Sequence, residues 1–225
     1  MPSPSPAQYW IALGDIHNAI DNLSRIPELP GAAGIIVSGD LTNVGDAADA
    51  TPILGTLRAT GKPVWAQIGN MDKPGVNSWL SGLGCNLHCQ KHELAPDVAM
   101  FGVGGSTITP FNTPSEFPEE QYAAWLEEVW TEVASFPHTV LVSHNPPKDT
   151  ACDVIPGGIH VGSQAVRDFV SARQPEICIC GHIHEARATD SIGRTRIVNP
   201  GAFADGGYVV LTLENNVLDA RLAVL

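Results

Sequence analysis

Five short apolar runs in this chain each stop at a small residue, and a residue able to bind a metal ion follows each stop. The runs cover residues 9–13, 34–37, 64–68, 139–142 and 177–180. The candidate ligands that follow them are Asp15, Asp40, Asn70, His144 and His182. Short apolar runs bounded by Gly, Ser or Pro are typical of buried strands, and ligands of open α/β sheets bind beyond the carboxyl ends of the strands. The pattern therefore predicts an α/β fold with metal ligands gathered at its strand ends.

Two more histidines extend this set of ligands. His17 and His184 lie two residues after Asp15 and His182. Each residue alone has an ordinary explanation, because an aspartate can cap a helix, an asparagine can form a turn and a buried histidine can simply be hydrogen-bonded. No structural requirement explains all of them together at five strand ends. The full set indicates a site with enough ligands for two metal ions.

The composition suits one folded domain over residues 1–225. Hydrophobic residues make up 44% of the chain and charged residues 16%, a balance that supplies a core and argues against disorder. Residues 1–7 are rich in Pro and Ser without the basic patch of a secretory signal, so we expect a mobile leader. No apolar run reaches the roughly 18 residues of a membrane span. We therefore expect a cytoplasmic protein without a membrane partner.

The charge of the chain argues against a polynucleotide partner. Acidic residues outnumber basic ones by 24 to 12, the formal net charge is −12, and no Lys/Arg cluster is present. Nucleic-acid binders normally carry a basic surface that displaces phosphate counterions. Two bound cations would reverse the sign locally and would suit a small phosphate-bearing substrate.

The cysteines do not indicate a second metal site. The chain has five, with no pair of CxxC motifs, which argues against a disulfide framework or a thiolate zinc site. Cys178 and Cys180 alternate within an apolar run and are predicted to be small buried side chains. Cys85 and Cys89 lie around His88, but nothing later in the chain completes a site with them.

Strand-like and helix-like segments alternate in the first half, as a layered α/β fold requires. Helices are predicted at 20–26, 47–60, 118–136 and 164–172. The last 40 or so residues are predicted to form strands at 194–198, 208–213 and 217–222, mostly antiparallel, with a hairpin turn at Asn215-Asn216. Two long loops, 104–117 and 145–162, are expected to border the cleft, because loops of this length are usually functional or disordered.

The ligands occur in five ordered motifs: Gly14-Asp15-Ile16-His17, Gly39-Asp40, Gly69-Asn70-Met71-Asp72, Ser143-His144 and Gly181-His182-Ile183-His184. Together they resemble the signature of the calcineurin-like metallophosphoesterase superfamily. The closing Asn199-Pro200-Gly201 and the terminal strands resemble its small prokaryotic, phosphodiesterase-like branch. The resemblance covers nearly the whole chain and implies a four-layer α-β-β-α sandwich with two central mixed sheets.

The resemblance also implies how two metal ions share the ligands. One ion would be held by Asp15, His17, Asp40 and His184. The other would be held by Asp40, Asn70, His144 and His182, with Asp40 as the bridging carboxylate. Nitrogen and oxygen ligands without a thiolate suit divalent Mn, Fe, Zn, Ni or Co.

The implied function is a dimetal-dependent phosphoesterase. Two ions about 3.5–4 Å apart lower the pKa of a bridging water, so that hydroxide attacks the phosphorus in line with the leaving group. Asp40 and Asn70 would be catalytic residues as well as ligands, and the substrate would be a small phosphate ester.

Met71 departs from the family pattern. Many relatives have histidine after the asparagine, where it stabilises the transition state and protonates the leaving oxygen. A thioether has no proton to donate, and loss of a general acid costs on the order of 10²–10⁴-fold for a leaving group that needs one. Small members that resemble this chain also lack the histidine and are phosphodiesterases, so a phosphodiester is favoured over a monoester.

His160 is the candidate for the missing acid, because the Gly-rich stretch Gly157-Gly158-Ile159-His160 could reach the cleft. An ordinary surface histidine is the alternative. For the whole chain, the alternative is a catalytically weak scaffold that binds a protein partner, as the retromer subunit of this fold does. The intact ligand set argues against the scaffold, and the resemblance permits a homo-oligomer.

Overall fold

The computed structural model describes residues 7–225. Residues 1–6, most of the predicted leader, lie outside this range. The helices are α1 (Ala47–Ala59), α2 (Pro74–Gly82), α3 (Glu119–Val133) and α4 (Gln164–Arg173). The strands are β1 (Gln8–Leu13), β2 (Ile35–Val37), β3 (Val64–Ala66), β4 (Lys91–Ala95), β5 (Val98–Val103), β6 (Ser106–Thr107), β7 (Glu116–Phe117), β8 (His138–Ser143), β9 (Val154–Ile155), β10 (Ile159–His160), β11 (Ile177–Ile179), β12 (Ala188–Ile192), β13 (Thr195–Asn199), β14 (Gly207–Glu214) and β15 (Val217–Val224).

The first large sheet has the strand order β15-β14-β1-β2-β3. Its strands β1, β2 and β3 are parallel, with Leu13 opposite Val37 and Val37 opposite Ala66. The strands β14 and β15 join them in antiparallel pairing. Because the parallel strands end in register, the loops that follow β1, β2 and β3 leave the same edge of this sheet.

The second large sheet has the order β12-β13-β11-β8-β5-β4. The central strands β13, β11, β8 and β5 are parallel, and Val142 of β8 lies opposite Ile179 of β11. The edge strands β12 and β4 pair in antiparallel fashion. The loops after β8 and β11 therefore also leave one edge together.

Three cores explain why the strand sequences are continuously apolar. Successive residues of a strand point to opposite faces, and both faces of these sheets are covered. In β2, Ile35 packs in the core beneath α1 and α2, whereas Ile36 packs in the core between the two sheets. In β8, Val140 faces that central core and Leu141 faces the core beneath α3 and α4. This arrangement confirms the four-layer α-β-β-α sandwich with two central mixed sheets.

The helices agree with the predicted positions in three of four cases. The helix expected at 118–136 is α3, which begins after Pro118, ends at Val133 and buries Tyr122 and Leu126. The predictions at 47–60 and 164–172 correspond to α1 and α4. The α-helix predicted at 20–26 is instead a short 3₁₀ helix, Asp21–Arg25, that buries only Leu23. Helix α2 was not predicted, because its nine residues include two glycines.

The chain's end is mostly antiparallel, as predicted, although β13 pairs in parallel with β11 as well as in antiparallel fashion with β12. Strands β14 and β15 form an antiparallel hairpin whose turn residues, Asn215 and Asn216, have the positive φ angles of 50° and 61°. Cys178 and Cys180 are fully buried. Within residues 7–225, no helix combines the length and apolarity that crossing a membrane requires.

Candidate metal centre

The two sheets direct their parallel strand ends toward one place. Asp15, Asp40 and Asn70 follow β1, β2 and β3 of the first sheet, and His144 and His182 follow β8 and β11 of the second. Backbone hydrogen bonds join these loops across the gap, since the Gly181 N–H donates to the His144 carbonyl and the His182 N–H donates to the Asp15 carboxylate. The predicted strand-end ligands are therefore brought together.

The glycines that precede Asn70 and His182 have a steric cause. A Cβ atom at Gly69 would overlap the Asp40 carboxylate, and one at Gly181 would approach an Asp15 oxygen. Asp15 and Asp40 themselves adopt φ angles of 51° and 50°, which non-glycine residues rarely adopt. Strain of this kind persists where the surrounding structure imposes it, and it clusters at functional sites.

The first group of ligands consists of Asp15, His17 and His184. The His184 Nε2 atom lies 3.2 Å from Asp15 Oδ1 and 3.1 Å from His17 Nε2. The His17 Nε2 atom lies 3.5 Å from Asp40 Oδ2. All three members of the group offer a ligand atom within 4.8 Å of the others.

The second group lies on the other side of Asp40. The His144 Nε2 atom is 3.5 Å from Asp40 Oδ2 and 3.1 Å from Asn70 Oδ1. The His182 Nδ1 atom is 2.8 Å from the same Asn70 oxygen. Asp15, Asp40 and His144 also each offer a ligand atom within 4.8 Å of the other two, so the two groups adjoin through the two aspartates.

These atoms fit divalent ions in spacing and in chemistry. Donors bound at about 2.1 Å to one ion lie roughly 3–3.5 Å apart, as these atoms do. The His144 Nδ1 atom faces the Ser38 carbonyl at 3.2 Å, an arrangement that leaves Nε2 free for a ligand bond. The His17 Nδ1 atom is buried without a hydrogen-bond partner among the described residues. The donor set is nitrogen and oxygen only, which suits transition-metal ions.

The buried acidic and basic groups of the cluster shift one another's pKa values. Burial opposes ionisation of Asp40, but the charge of His144 holds the pKa of this carboxyl below its usual range. Burial also opposes protonation of His144, yet Asp40 raises the pKa of the imidazole to about 9. Burial and the neighbouring His144 lower the pKa of His182 to about 4. The buried carboxylates therefore favour the protonated form of His144, and a metal ion bound to its Nε2 atom would displace that proton.

Asp72 supports the loops that carry Asp40 and Asn70. One of its oxygens accepts from the Leu41 and Gly69 N–H groups, and the other accepts from the N–H and hydroxyl of Thr42. Burial and the nearby charge of Asp40 raise the pKa of Asp72 to about 6. Asp72 belongs to the motif Gly69-Asn70-Met71-Asp72, but the sequence predicts no role for it. Its buried hydrogen bonds show that it supports these loops.

Thr113 and Glu116 are a second support that the sequence did not reveal. The Asn70 side-chain amide donates to Thr113 Oγ1 at 3.0 Å, which turns Asn70 Oδ1 toward His144 and His182. The Thr113 hydroxyl donates in turn to Glu116 at 2.6 Å. Both residues lie in the loop 104–117, which is expected from its length to be functional.

A cavity of about 630 Å³ opens above the ligands. It is lined by His17, Asp40, Asn43, Val44, Asn70, Met71, Phe111, Asn112, Thr113, Pro114, His182 and His184. Met71 thus lies at the cleft, where the departure from the family pattern bears on the chemistry. Among these described lining residues, none is Lys or Arg. The 104–117 loop borders the cleft through Phe111 and Pro114, as its length led us to expect.

The structure does not bring His160 to the ligand cluster. Its Nδ1 atom is 2.7 Å from Asp153 Oδ1, and its side chain is among those exposed to solvent. In the β9–β10 hairpin, His160 pairs with Val154, whereas the cavity-lining Ile155 and Val161 alternate with them and point the other way. His160 is outside the set of described residues that line the cavity, and its role as an acid stays a prediction.

Comparison with known proteins decides the family. The model of the family described as metallophosphoesterase, calcineurin superfamily, matches residues 76–222. The chain belongs to this family. As a metallophosphoesterase it is a metal-dependent hydrolase of phosphate esters. An uncharacterized protein of Methanocaldococcus jannaschii is 36% identical to this metallophosphoesterase over 188 residues, which cover 82% of this chain and 83% of the relative.

Solved structures support the fold of this metallophosphoesterase. A protein of Thermus thermophilus matches with a TM-score of 0.75 and 17% identity, covering 97% of this chain and 99% of that one. A structure described as a dimetal phosphatase from Danio rerio matches with a TM-score of 0.64 and 13% identity, covering 98% of this chain and 99% of that one. At these identities the likeness extends to the fold alone.

Proposed function

We propose that this metallophosphoesterase binds two divalent transition-metal ions and hydrolyses a small phosphodiester. The observation that carries the proposal is the position of Asp40, whose Oδ2 atom lies 3.5 Å from both His17 Nε2 and His144 Nε2. A carboxylate between two groups of ligands is suited to bridge two cations. The proposed ligands of one ion are Asp15, His17, Asp40 and His184, and those of the other are Asp40, Asn70, His144 and His182.

Divalent ions bound there would supply positive charge to the phosphoryl oxygens and would lower the pKa of a water molecule. The chain's own residues orient the ligands. The Met71 N–H donates to Asp40 Oδ1 at 2.8 Å, which holds the other oxygen, Oδ2, between the two histidines. The Asn70 side-chain amide donates to Thr113 Oγ1, which directs the Asn70 oxygen toward the other ligands. The metal can be Mn, Fe, Zn, Ni or Co, because the ligands are nitrogen and oxygen.

Two features of the cavity favour a diester over a monoester. A phosphomonoester is largely a dianion at neutral pH, as its second pKa is about 6, whereas a diester carries one negative charge. The described lining residues supply no Lys or Arg for the additional charge. Met71 also supplies no proton to a leaving oxygen. The substrate that fits is a small monoanionic ester with a leaving group that departs without strong acid assistance.

The test is hydrolysis of bis-p-nitrophenyl phosphate against p-nitrophenyl phosphate by metal-stripped protein after Mn, Fe, Zn, Ni or Co is restored. We expect metal-dependent cleavage that favours the diester and is lost in Asp40→Ala. Asp21→Ala, which removes an exposed carboxylate outside the ligand set, is the matched control. Preference for the monoester would contradict the diester assignment. Tight metal binding without turnover of either ester would support the scaffold instead.

A further inference from the structure

A second cavity, of about 640 Å³, adjoins the one above the ligands. The two cavities share Phe111, His182 and His184 as walls. A substrate whose phosphorus lies over the ligands can therefore extend a substituent past Phe111 without leaving the protein surface. Pockets of this size accommodate small organic groups.

The chemistry of the second cavity differs from that of the first. Its side chains include Ile108, Phe111, Ile155, Pro156 and Val161. Among the described residues lining it, Glu185 carries a charge and no Lys or Arg is present. An apolar wall that includes one carboxylate disfavours an anionic group and favours an uncharged apolar one.

The apolar side chains at this place are unusually exposed. Phe111 is 80% exposed, Ile108 is 67% exposed and Val161 is 37% exposed. Ile159, on the same hairpin as Val161, is 58% exposed. Contiguous exposed apolar residues next to a cleft mark a binding surface rather than a folding core.

The segments that carry these side chains are held in place by two carboxylates, each of which accepts several hydrogen bonds. The fully buried Asp153 accepts from the N–H groups of Thr150 and Gly162 and pairs with His160, which fixes the hairpin of β9 and β10. Glu116 accepts from the N–H groups of Thr109 and Thr113, which fixes the loop carrying Phe111. A preformed apolar wall binds a ligand without the cost of ordering its loops.

We infer that the cavity lined by Ile108, Phe111, Ile155 and Val161 binds an uncharged apolar or aromatic substituent of the phosphodiester. This inference rests on the proposed function and names its substrate class. The enzyme selects diesters in which one substituent is apolar, and it discriminates against diesters whose second substituent carries another negative charge. His160 then stabilises this wall through its hydrogen bond with Asp153.

The experiment uses metal-loaded protein and diesters that share one leaving group. Each is a p-nitrophenyl phosphodiester whose second substituent is methyl, phenyl or carboxyphenyl. We expect kcat/KM for the phenyl ester to exceed those for the methyl and carboxyphenyl esters by about tenfold or more, since even one methylene in an apolar pocket changes specificity by that factor. The variants Val161→Asp and Ile108→Ser should reduce this preference, mainly through KM. Val217→Asp, at an exposed site on the terminal hairpin, is the control for the added charge.

A binding measurement separates this inference from the proposed function. Diphenyl phosphate is titrated into the metal-loaded protein while the methyl NMR signals of Ile108, Ile155 and Val161 are followed. Shifts at these methyl groups, smaller with dimethyl phosphate, support the cavity assignment even if turnover is absent and the proposed function fails. Diester turnover with equal kcat/KM for phenyl and methyl esters, and no shift at these methyl groups, overturns the inference and leaves the phosphodiesterase intact. Retention of the preference in Val161→Asp and Ile108→Ser also overturns it and would favour a protein-binding role for the apolar wall.

Discussion

Replacing Glu116 with Gln tests whether the 104–117 loop orients Asn70, a proposed metal ligand. The Glu116 carboxylate accepts four hydrogen bonds, two from Thr109 and two from Thr113, and Thr113 holds the Asn70 amide. Partial burial opposes ionisation, but these hydrogen bonds lower the pKa of Glu116 to about 2. In Glu116→Gln, one oxygen becomes an NH₂ group, which cannot accept from the donors that face it.

The expected magnitude follows from the four hydrogen bonds. A hydrogen bond to a charged group contributes roughly 1 kcal/mol more than a neutral one, so four of them would lose about 4 kcal/mol. Glu116 is only half-buried, and solvent screening reduces this loss to about 2 kcal/mol. That free energy corresponds to roughly a 30-fold change in an equilibrium constant. We expect the protein's affinity for the metal ion that Asn70 would help to bind to fall by up to that factor.

The assay is isothermal titration of metal-stripped protein with Mn²⁺, with Zn²⁺ as a second probe. Glu120→Gln makes the same change at an exposed position in the first turn of α3 and should leave affinity unchanged. A carboxyl with a lowered pKa stabilises the fold above its unfolded pKa of about 4.5 and loses that effect as pH falls toward 2. The loss of metal affinity in Glu116→Gln should therefore be the same at pH 6 and pH 8. Affinity equal to that of Glu120→Gln would refute the proposed linkage from Glu116 through Thr113 to Asn70.

Four more perturbations test the site. Gly69→Ala should abolish metal binding, because its Cβ would overlap the Asp40 carboxylate, whereas Gly55→Ala, with open space around it in α1, should bind normally in the same titration. Burial opposes protonation of His144, but Asp40 raises its pKa to about 9 in the metal-free protein, so metal binding should release a proton and strengthen about tenfold from pH 7 to pH 8; equal affinities at the two pH values would contradict this. Met71→His should raise hydrolysis of alkyl esters relative to aryl esters by on the order of 10²-fold if the imidazole donates a proton, and an unchanged ratio in a steady-state assay would argue against that role. His160→Ala should slow alkyl and aryl diesters equally, as its position on the far side of the hairpin indicates, whereas selective slowing of alkyl diesters would identify it as the acid.

The candidate ligands could be predicted from sequence because their pattern is local. A buried strand is encoded as a short apolar run, and the residue after it lies at the sheet edge, so Asp15, Asp40 and His144 could be assigned without knowing how the strands pair. The supports of the site were not predictable in this way. Glu116 and Asp72 are ordinary acidic residues in the sequence, and they acquire roles only through contacts with Thr113, Leu41 and Gly69 that the fold creates.

His160 illustrates the same difference. Its Gly-rich neighbours indicated a loop, and Ile155 and Val161, on either side of that stretch, line the second cavity. The direction of its side chain depends on the two-residue pairing of β9 with β10 and on the buried Asp153, both of which are properties of the folded chain. A shift of one residue in such a hairpin would turn His160 toward the cavity.

Periodicity and ligand order in the chain are sufficient to predict the layered α/β class and a set of candidate metal ligands, because each depends on residues adjacent in sequence. Packing between segments far apart in sequence decides the rest, as for His17 and His184, which are separated by 167 residues. It determines which strands adjoin, how Asp40 comes to lie between His17 and His144, and which apolar side chains form the second cavity. Close packing between the two sheets fixes these loops relative to one another, and the resulting arrangement places an apolar wall beside the proposed metal centre.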